Sequence, residues 1–268
     1  MKHIKDIERL ESILASGLKS RRSDAAYRLY WIFRDGDGVK VDKKRAMWYL
    51  RAAADNGSVS ALYYLGWHYD SGTFVRNDIS QAMKWYRMAA EKGDDWAQVN
   101  LGKIYLDGAR GVKKNFAKAV SLFRKAARKD DELAFFNLGL CYDFGKGVRR
   151  SDALACRYYR KAAERGHVLA MCNLGIILSD YRDWQQDGVL WMRRAAMRGD
   201  DKAQCNLGQW YANGDCGLKA NRRLAAKWLG KSAEQGNKMA AKMLARLAIA
   251  LAPRKRANEQ VKSSASMP

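Results

Sequence analysis

The chain has 268 residues, with 50 Lys and Arg against 28 Asp and Glu, so its formal net charge at pH 7 is +22. Only two prolines occur and Ala and Leu are abundant, which favours an all-helical protein. No stretch approaches the roughly 18–20 apolar residues that span a bilayer. Residues 1–23 and 253–268 each contribute a net +3. Most of the charge therefore lies between them and predicts an acidic partner, which could be a protein, a nucleic acid or an anionic membrane.

The first predicted element is an N-terminal helix. Ile4, Ile7, Leu10 and Leu14 recur at helical spacing and are separated by charged residues. This pattern is typical of an amphipathic helix, whereas a secretory signal has a continuous apolar region. We therefore expect a cytoplasmic protein, and we expect residues 1–23 to form a helix that caps the array that follows.

An Ala…Leu-Gly…Tyr pattern then recurs about every 36 residues. One copy runs from Ala61 to Tyr69, and similar copies begin at Ala97, Ala134 and Ala203. A fifth copy, from Ala170, lacks the Tyr. A period of this length predicts stacked helix-turn-helix units, each too small to bury its own apolar face.

The second helix of each unit is marked by an Ala-Ala pair, which is Ser232-Ala233 in the last unit. Gly follows three residues after the pair, except in the one unit that has Asp130 there. Asn115 is a residue type that favours the start of such a helix. Bulky aromatics stand shortly before the pairs, and we expect them to fill the gap between neighbouring units. They are Trp48, Trp85, Phe123, Tyr159, Trp191 and Trp228.

Counting both patterns gives six units over residues 24–237. A C-terminal capping helix is predicted over 238–252, and a basic, disordered tail over 253–268. The interval between Ala170 and Ala203 falls to 33 residues, and the turn at 179–183 lacks Gly-x-Gly-Val. We expect the solenoid to bend or twist differently there.

The unit that starts at Ala134, with Leu138-Gly139, Tyr142, Gly145-x-Gly147-Val148 and a later Ala-Ala pair, resembles the Sel-one-like repeat (SLR) family, a relative of the tetratricopeptide repeat. The likeness covers about residues 24–236. It implies an all-α, right-handed α-α superhelix (solenoid) of about six helix-turn-helix repeats with helical caps. It also implies a protein-binding role, since family members act as adaptors in signalling, secretion, envelope and host-interaction pathways and some occur beside bacterial toxins.

Residues suited to chemistry are scattered. His3, His68 and His167 show no metal-ligand spacing, and the Gly-x-Gly-Val turns follow helices and lack the further features of a phosphate loop. The five cysteines occur singly and predict reduced thiols. We predict no catalytic, metal or cofactor site and no enzyme; the rival hypothesis of an enzyme requires a buried polar pocket.

Positions flanking Leu-Gly on the first helices are predicted to line the concave groove. The Asn residues before it are suited to holding a partner's backbone, although they are equally suited to tying one helix to the next. Trp67 is the predicted hot spot. The groove candidates are Asn100, Asn137, Asn173 and Asn206 before Leu-Gly, and Trp67, Lys103, Leu140, Ile176 and Gln209 after it.

Basic residues follow each turn and should align into a positive ridge. Its main candidates are Lys113, Lys114, Arg149, Arg150, Arg222 and Arg223. A second basic row falls on the second helices, at Arg51, Arg87, Arg124, Lys125, Arg160, Lys161, Arg193 and Arg194. The alternative interpretation is a solvated face without a partner.

Together these patterns predict a non-enzymatic adaptor or inhibitor that binds an acidic protein through the groove and the basic edges. A bacterial toxin-immunity or effector-associated protein is the concrete form of this hypothesis. Binding of a nucleic acid or an anionic membrane through the basic surface stays an alternative, as does delivery of the chain into a host cell.

Overall fold

The computed structural model describes residues 2–109 and 111–251. This part of the chain contains fourteen α-helices, one short 3-10 helix at Arg182–Trp184 and no strand. None of these helices is both long and apolar enough to cross a membrane. The α-helices are α1 (Lys2–Ser16), α2 (Lys19–Asp35), α3 (Lys43–Asp55), α4 (Val59–Ser71), α5 (Ile79–Glu91), α6 (Asp95–Asp107), α7 (Phe116–Ala127), α8 (Glu132–Phe144), α9 (Asp152–Glu164), α10 (Val168–Ser179), α11 (Gln185–Met197), α12 (Asp201–Asn213), α13 (Arg222–Glu234) and α14 (Lys238–Leu251).

The helices form two compact units, an N-terminal unit (residues 1–165) and a C-terminal unit (residues 166–268). In the N-terminal unit α1 packs on α2, and the pairs α2–α3, α4–α5, α6–α7 and α8–α9 follow, each second helix packing on the next first helix. The C-terminal unit contains the pairs α10–α11 and α12–α13, and α14 packs on α13. The predicted all-α fold of six helix-turn-helix repeats is confirmed.

The predicted boundaries fall near these helices. Residue 23 lies inside α2, because α1 ends at Ser16 and α2 begins at Lys19. The predicted C-terminal capping helix corresponds to α14, and the predicted disordered tail, 253–268, lies outside the described residues. The 3-10 helix replaces the glycine turn after α10. The different bend at this place stays a prediction, as does the division into caps and repeats.

Side chains cap nearly every helix of the repeats. Asn115 accepts a hydrogen bond from the backbone nitrogen of Lys118 at 2.9 Å, which confirms the helix start predicted there. Asp42, Asp78 and Ser151 cap the other second helices of the N-terminal unit. His167 does the same for α10, since its Nδ1 accepts from the Ala170 nitrogen at 3.2 Å. Such caps satisfy backbone donors that a helix start leaves unpaired.

The two helices of a repeat touch where a glycine of the first meets a large side chain of the second. Tyr86, Phe123 and Tyr159 are fully buried, and each lies three residues before its Ala-Ala pair. A Cβ built on Gly66 or Gly139 would come within 2.5 Å of the ring of Tyr86 or Tyr159. Only glycine allows this close approach of the two helices.

The structure corrects which of the predicted aromatics are buried. Trp48 is 59% exposed, and Trp85 and Trp228 are half-buried. The buried slot belongs to the residues three before the Ala-Ala pair, which are Leu50, Tyr86, Phe123, Tyr159, Met192 and Leu229. Of the predicted aromatics, Phe123 and Tyr159 occupy this buried slot. Trp191 is also buried, but it precedes the slot by one residue. The contact joins the two helices of one repeat. The prediction that these aromatics also fill the gap between neighbouring repeats stays a prediction.

Candidate functional site

Aromatic side chains of α2, α4 and α6 form a continuous surface on the N-terminal unit, called here the aromatic face. The ring centroids of Trp31 and Tyr64 are 5.3 Å apart, those of Tyr64 and Trp67 6.5 Å, and those of Tyr63 and Trp96 5.9 Å. Five of its six members are half-buried against the core, and Trp96 is 58% exposed. The six residues are Tyr27, Trp31, Tyr63, Tyr64, Trp67 and Trp96.

Only Trp67 of this face was predicted from the sequence. The other five rings occupy different positions of their repeats; Trp31, for example, stands in the slot that holds Gly66 one repeat later. A signal was nevertheless present, because four of the seven residues from Tyr63 to Tyr69 are Tyr or Trp.

A cleft of about 560 Å³ between α1 and α2 adjoins this face, because Trp31 belongs to both. Its lining combines apolar side chains with two residues of each charge sign. The lining residues are Asp6, Arg9, Leu10, Ile13, Arg28, Trp31, Ile32 and Asp37. Such a cleft can take an apolar side chain of a partner while its charged rim remains in water.

The predicted groove asparagines have structural contacts in the N-terminal unit. Asn137 is buried and donates to the carbonyl oxygen of Leu133 at 2.7 Å. The amide nitrogen of Asn100 lies 3.4 Å from the hydroxyl of Tyr86. Both observations favour the alternative that these residues hold helices in place. Asn173 and Asn206, in the C-terminal unit, are half-buried.

The predicted slot after Leu-Gly holds side chains of mixed character. Trp67 and Leu140 are half-buried, and Lys103 is exposed, in the N-terminal unit. Ile176 and Gln209 are exposed in the C-terminal unit. All five have some surface available, and a partner contact by any of them stays a prediction.

The cations predicted to form a ridge are exposed. Lys113, Lys114, Arg149 and Arg150 lie in turns of the N-terminal unit, and Arg222 and Arg223 begin α13. Arg150 pairs with Asp152 at 3.3 Å. Arg45, an exposed cation near the start of α3, also has partners. It donates to Glu11 at 2.8 Å, and its guanidinium lies 3.9 Å from the Phe33 ring centroid.

Several arginines of the second row tie one repeat to the next. Arg51 donates to the Tyr69 hydroxyl at 2.9 Å, and Arg124 donates to the Tyr142 hydroxyl at the same distance. The C-terminal unit repeats this contact between Arg193 and Tyr211 at 2.6 Å. The partners are always 18 residues apart. These arginines therefore have a structural role in addition to their charge.

His68 is completely buried, so it is no surface ligand. Its Nε2 lies 2.9 Å from the Tyr30 hydroxyl, and its ring stacks on Phe74 with 4.6 Å between centroids. Burial lowers the pKa of His68 to about 4, so the ring is neutral at physiological pH. The buried Nδ1 has no hydrogen-bond partner among the described residues.

Metal-ligating side chains and cysteine thiols were the first candidates for a chemical site. No group of three or more His, Cys, Asp or Glu side chains is placed to hold a metal ion within residues 2–109 and 111–251. All five cysteines are free thiols. Burial raises the pKa of Cys141 and Cys156 to about 11 and that of Cys172 to about 12, so these thiols are protonated and unreactive at neutral pH.

Comparison with known proteins agrees with this architecture. The family model of the Sel1 repeat matches six segments, residues 23–58, 59–94, 97–131, 134–167, 168–200 and 201–237. No curated protein matches the sequence. Proteins built from Sel1 repeats mediate protein–protein interactions.

Solved structures are similar as well. A protective antigen of uropathogenic Escherichia coli strains that displays an SLR fold is 33% identical over 93% of this chain, with a TM-score of 0.82. The match covers 53% of that antigen, so the chain spans about half its length. A Sel1 repeat protein from Oxalobacter formigenes is 29% identical over 85% of this chain and 99% of its own, with a TM-score of 0.70.

An immunity protein from Pseudomonas aeruginosa is 24% identical, with 68% of each chain covered and a TM-score of 0.47. This likeness is too weak to bear on function. The family-model matches, in contrast, extend over most of the sequence and coincide with the six helix pairs. The chain belongs to the Sel1 repeat family.

Proposed function

We propose that this chain is a non-enzymatic adaptor or inhibitor that binds an acidic protein, with the aromatic face as the centre of the contact and the exposed turn cations around it. The observation that carries the proposal is the continuity of six partly exposed rings on three consecutive first helices. A contiguous aromatic patch of this kind on a protein surface is characteristic of a binding site.

The aromatic face has the composition of an interface centre. Trp and Tyr are enriched among residues whose truncation costs most binding energy, because they combine a large apolar area with few rotatable bonds. The rings of the aromatic face also support one another, as Tyr64 contacts both Trp31 and Trp67. Little conformational entropy is therefore lost when a partner covers them.

The charge of the chain supports an acidic partner. The net charge is +22, and Lys103, Lys113 and Lys114 are exposed in the same unit as the aromatic face. Complementary charge accelerates association and rejects basic competitors. The concrete form of the proposal is a bacterial toxin or effector as the partner, bound in the cytoplasm.

Two tryptophans with nearly equal exposure allow a matched test. Trp96, on the aromatic face, is 58% exposed, and Trp48, on α3 outside it, is 59% exposed. We expect an acidic protein captured from the source cell by the wild-type chain to be captured by Trp48→Ala and lost with Trp96→Ala. Mass spectrometry identifies the captured protein, and calorimetry with the purified partner gives its affinity.

Two results would refute the proposal. One is capture of no protein at low salt, and the other is equal affinity of the Trp48 and Trp96 variants for the partner. Electrophoretic shifts with mixed DNA and RNA, and flotation with anionic vesicles, test the alternative partners. Nucleic-acid binding would show a steep dependence of affinity on salt and no effect of Trp96→Ala.

A further inference from the structure

A second groove, of about 320 Å³, runs along α7 in the N-terminal unit and is called here the α7 groove. Its polar lining residues recur at helical spacing, so one face of α7 presents three cations and a hydroxyl to the same space. The turn of the next repeat supplies a wall through Gly147. The lining residues are Ala117, Val120, Ser121, Arg124, Lys125, Arg128 and Gly147.

Positive charge in the α7 groove is not balanced by its own lining. No Asp or Glu occurs among the described residues that line it. Asp130, just after α7, accepts from Nε of Arg165 at 2.9 Å, and Asp152 pairs with Arg150 at 3.3 Å. Three cations around a concave surface attract an anion more strongly than the same charges spread over a flat one.

One of the three cations is already oriented. Nη2 of Arg124 donates to the hydroxyl of Tyr142 at 2.9 Å, which restricts the side chain while its other N–H groups stay available. Planar guanidinium groups match the oxygens of a phosphate in a two-point contact. Ser121 adds a hydroxyl that can donate to a phosphate oxygen.

The wall of the groove depends on glycine. Gly147 has a φ of +73°, and a Cβ at this position would lie 2.6 Å from the backbone carbon and oxygen of Phe116. The turn backbone therefore lies directly against the start of α7, and no side chain of residue 147 fills the space beside the cations. Arg149 and Arg150, two and three residues after Gly147, are exposed as well.

We propose that the α7 groove binds a compact anion with several phosphate charges, a chemistry shared by free pyrophosphate and by the phosphorylated headgroup of a lipid. Arg124, Lys125 and Arg128 hold the phosphate oxygens, and Ser121 donates a hydrogen bond. This site lies on a second helix, whereas the aromatic face lies on first helices. Neither Lys125 nor Arg128 belongs to the aromatic face, so pyrophosphate binding can be measured separately from binding of a protein partner.

Calorimetric titration of the full chain with pyrophosphate at constant ionic strength tests the site. We expect saturable binding of one pyrophosphate, weakened about tenfold or more in the double variant Lys125→Gln/Arg128→Gln, since each charge-assisted hydrogen bond contributes about this factor. The matched control, Lys227→Gln/Lys231→Gln, removes two exposed cations from α13 at the same net charge. Its affinity should stay within about twofold of the wild type.

Two outcomes would overturn the proposal: no saturable binding of pyrophosphate by the wild-type chain, or equal weakening in the two double variants, since binding would then follow net charge alone. Circular dichroism verifies that each variant is folded, and Ser121→Ala offers a third variant that leaves the charge unchanged and should weaken binding.

Vesicles of phosphatidylcholine, with and without a phosphatidylinositol bisphosphate, separate the two sources of the anion. If the chain floats with vesicles that contain the phosphorylated lipid, and pyrophosphate reverses this flotation, the groove binds a lipid headgroup. Pyrophosphate binding without flotation assigns it to a free anion.

Discussion

Gly102 of α6 lies against Phe123 of α7 so closely that a Cβ on Gly102 would be 2.5 Å from Cε1 of the ring. The neighbouring repeats of the N-terminal unit use the same contact, between Gly66 and Tyr86 and between Gly139 and Tyr159. The absence of a side chain at this glycine sets how closely the two helices of a repeat approach each other.

We expect Gly102→Ala to lower the free energy of unfolding by about 1–3 kcal/mol, because the added methyl forces the buried Phe123 ring or the helix backbone to move. Urea denaturation followed by circular dichroism measures the change. Gly230→Ala, inside α13, is the control, since nothing lies within 4 Å of its Cβ position. The control should leave stability unchanged or raise it by up to about 1 kcal/mol. Equal destabilisation by both changes would contradict the packing argument.

The buried His68 predicts a loss of stability in mild acid. Burial lowers its pKa from 6.5 to about 4, so between these values the unfolded chain binds a proton that the folded chain does not. Above pH 6.5 His68 is neutral in both states and does not lower the free energy of unfolding. Between pH 6.5 and 4 the free energy of unfolding falls by about 1.4 kcal/mol per pH unit as the pH drops. Denaturation at several pH values measures this slope. His68→Gln should flatten it relative to wild type, and an unchanged slope in that variant would exclude His68 as its source.

The arginine–tyrosine contacts predict that removal of a single tyrosine hydroxyl lowers the stability of the protein. Tyr69→Phe should lower the free energy of unfolding by about 1 kcal/mol, because Arg51 loses its acceptor. Tyr105→Phe is the control from the same slot one repeat later, where the Tyr hydroxyl has no hydrogen bond among the described residues and Lys118 lies 5.4 Å from the ring centroid. A double-mutant cycle with Arg51→Met should show coupling to Tyr69 and none to Tyr105.

Association with the proposed acidic partner should depend on salt through the association rate constant. We expect the association rate constant to fall about tenfold or more between low and physiological ionic strength, because salt screens the exposed cations. Arg149→Gln/Arg150→Gln should lower this rate, whereas Trp96→Ala should raise the dissociation rate. Surface plasmon resonance separates the two. If salt changed only the dissociation rate constant and left the association rate constant unchanged, electrostatic steering would be contradicted.

Much of the fold could be predicted from the sequence, because the same local sequence patterns recur in each repeat. The Ala…Leu-Gly pattern marks the first helices, the Ala-Ala pairs mark the second helices, and Asn115 begins a helix as its side chain suggests. The buried ring was harder to place. The aromatics stand three to five residues before the Ala-Ala pair, and each residue turns a helix by about 100°. Trp48 therefore faces solvent although Leu50, two residues later, is buried.

The aromatic face could not be predicted, because it depends on contacts between repeats. Tyr63 and Trp96 are 33 residues apart in the chain, and nothing in either repeat alone shows that their rings meet. The contact between Tyr30 and His68 is equally non-local. The asparagines illustrate the reverse case, since a polar residue in a promising slot, such as Asn137, is bonded to its own helix.

The contact between glycine and ring also separates two kinds of positions along each first helix. Gly66, Gly102 and Gly139 face the second helix, where a Cβ would lie 2.5 Å from a buried ring. The next position outward holds Trp67, Lys103 and Leu140 in turn. Mutation can therefore exchange the residues at this outer position one module at a time while the architecture beneath them persists. A protein organised in this way can acquire a new target without having to re-evolve its core.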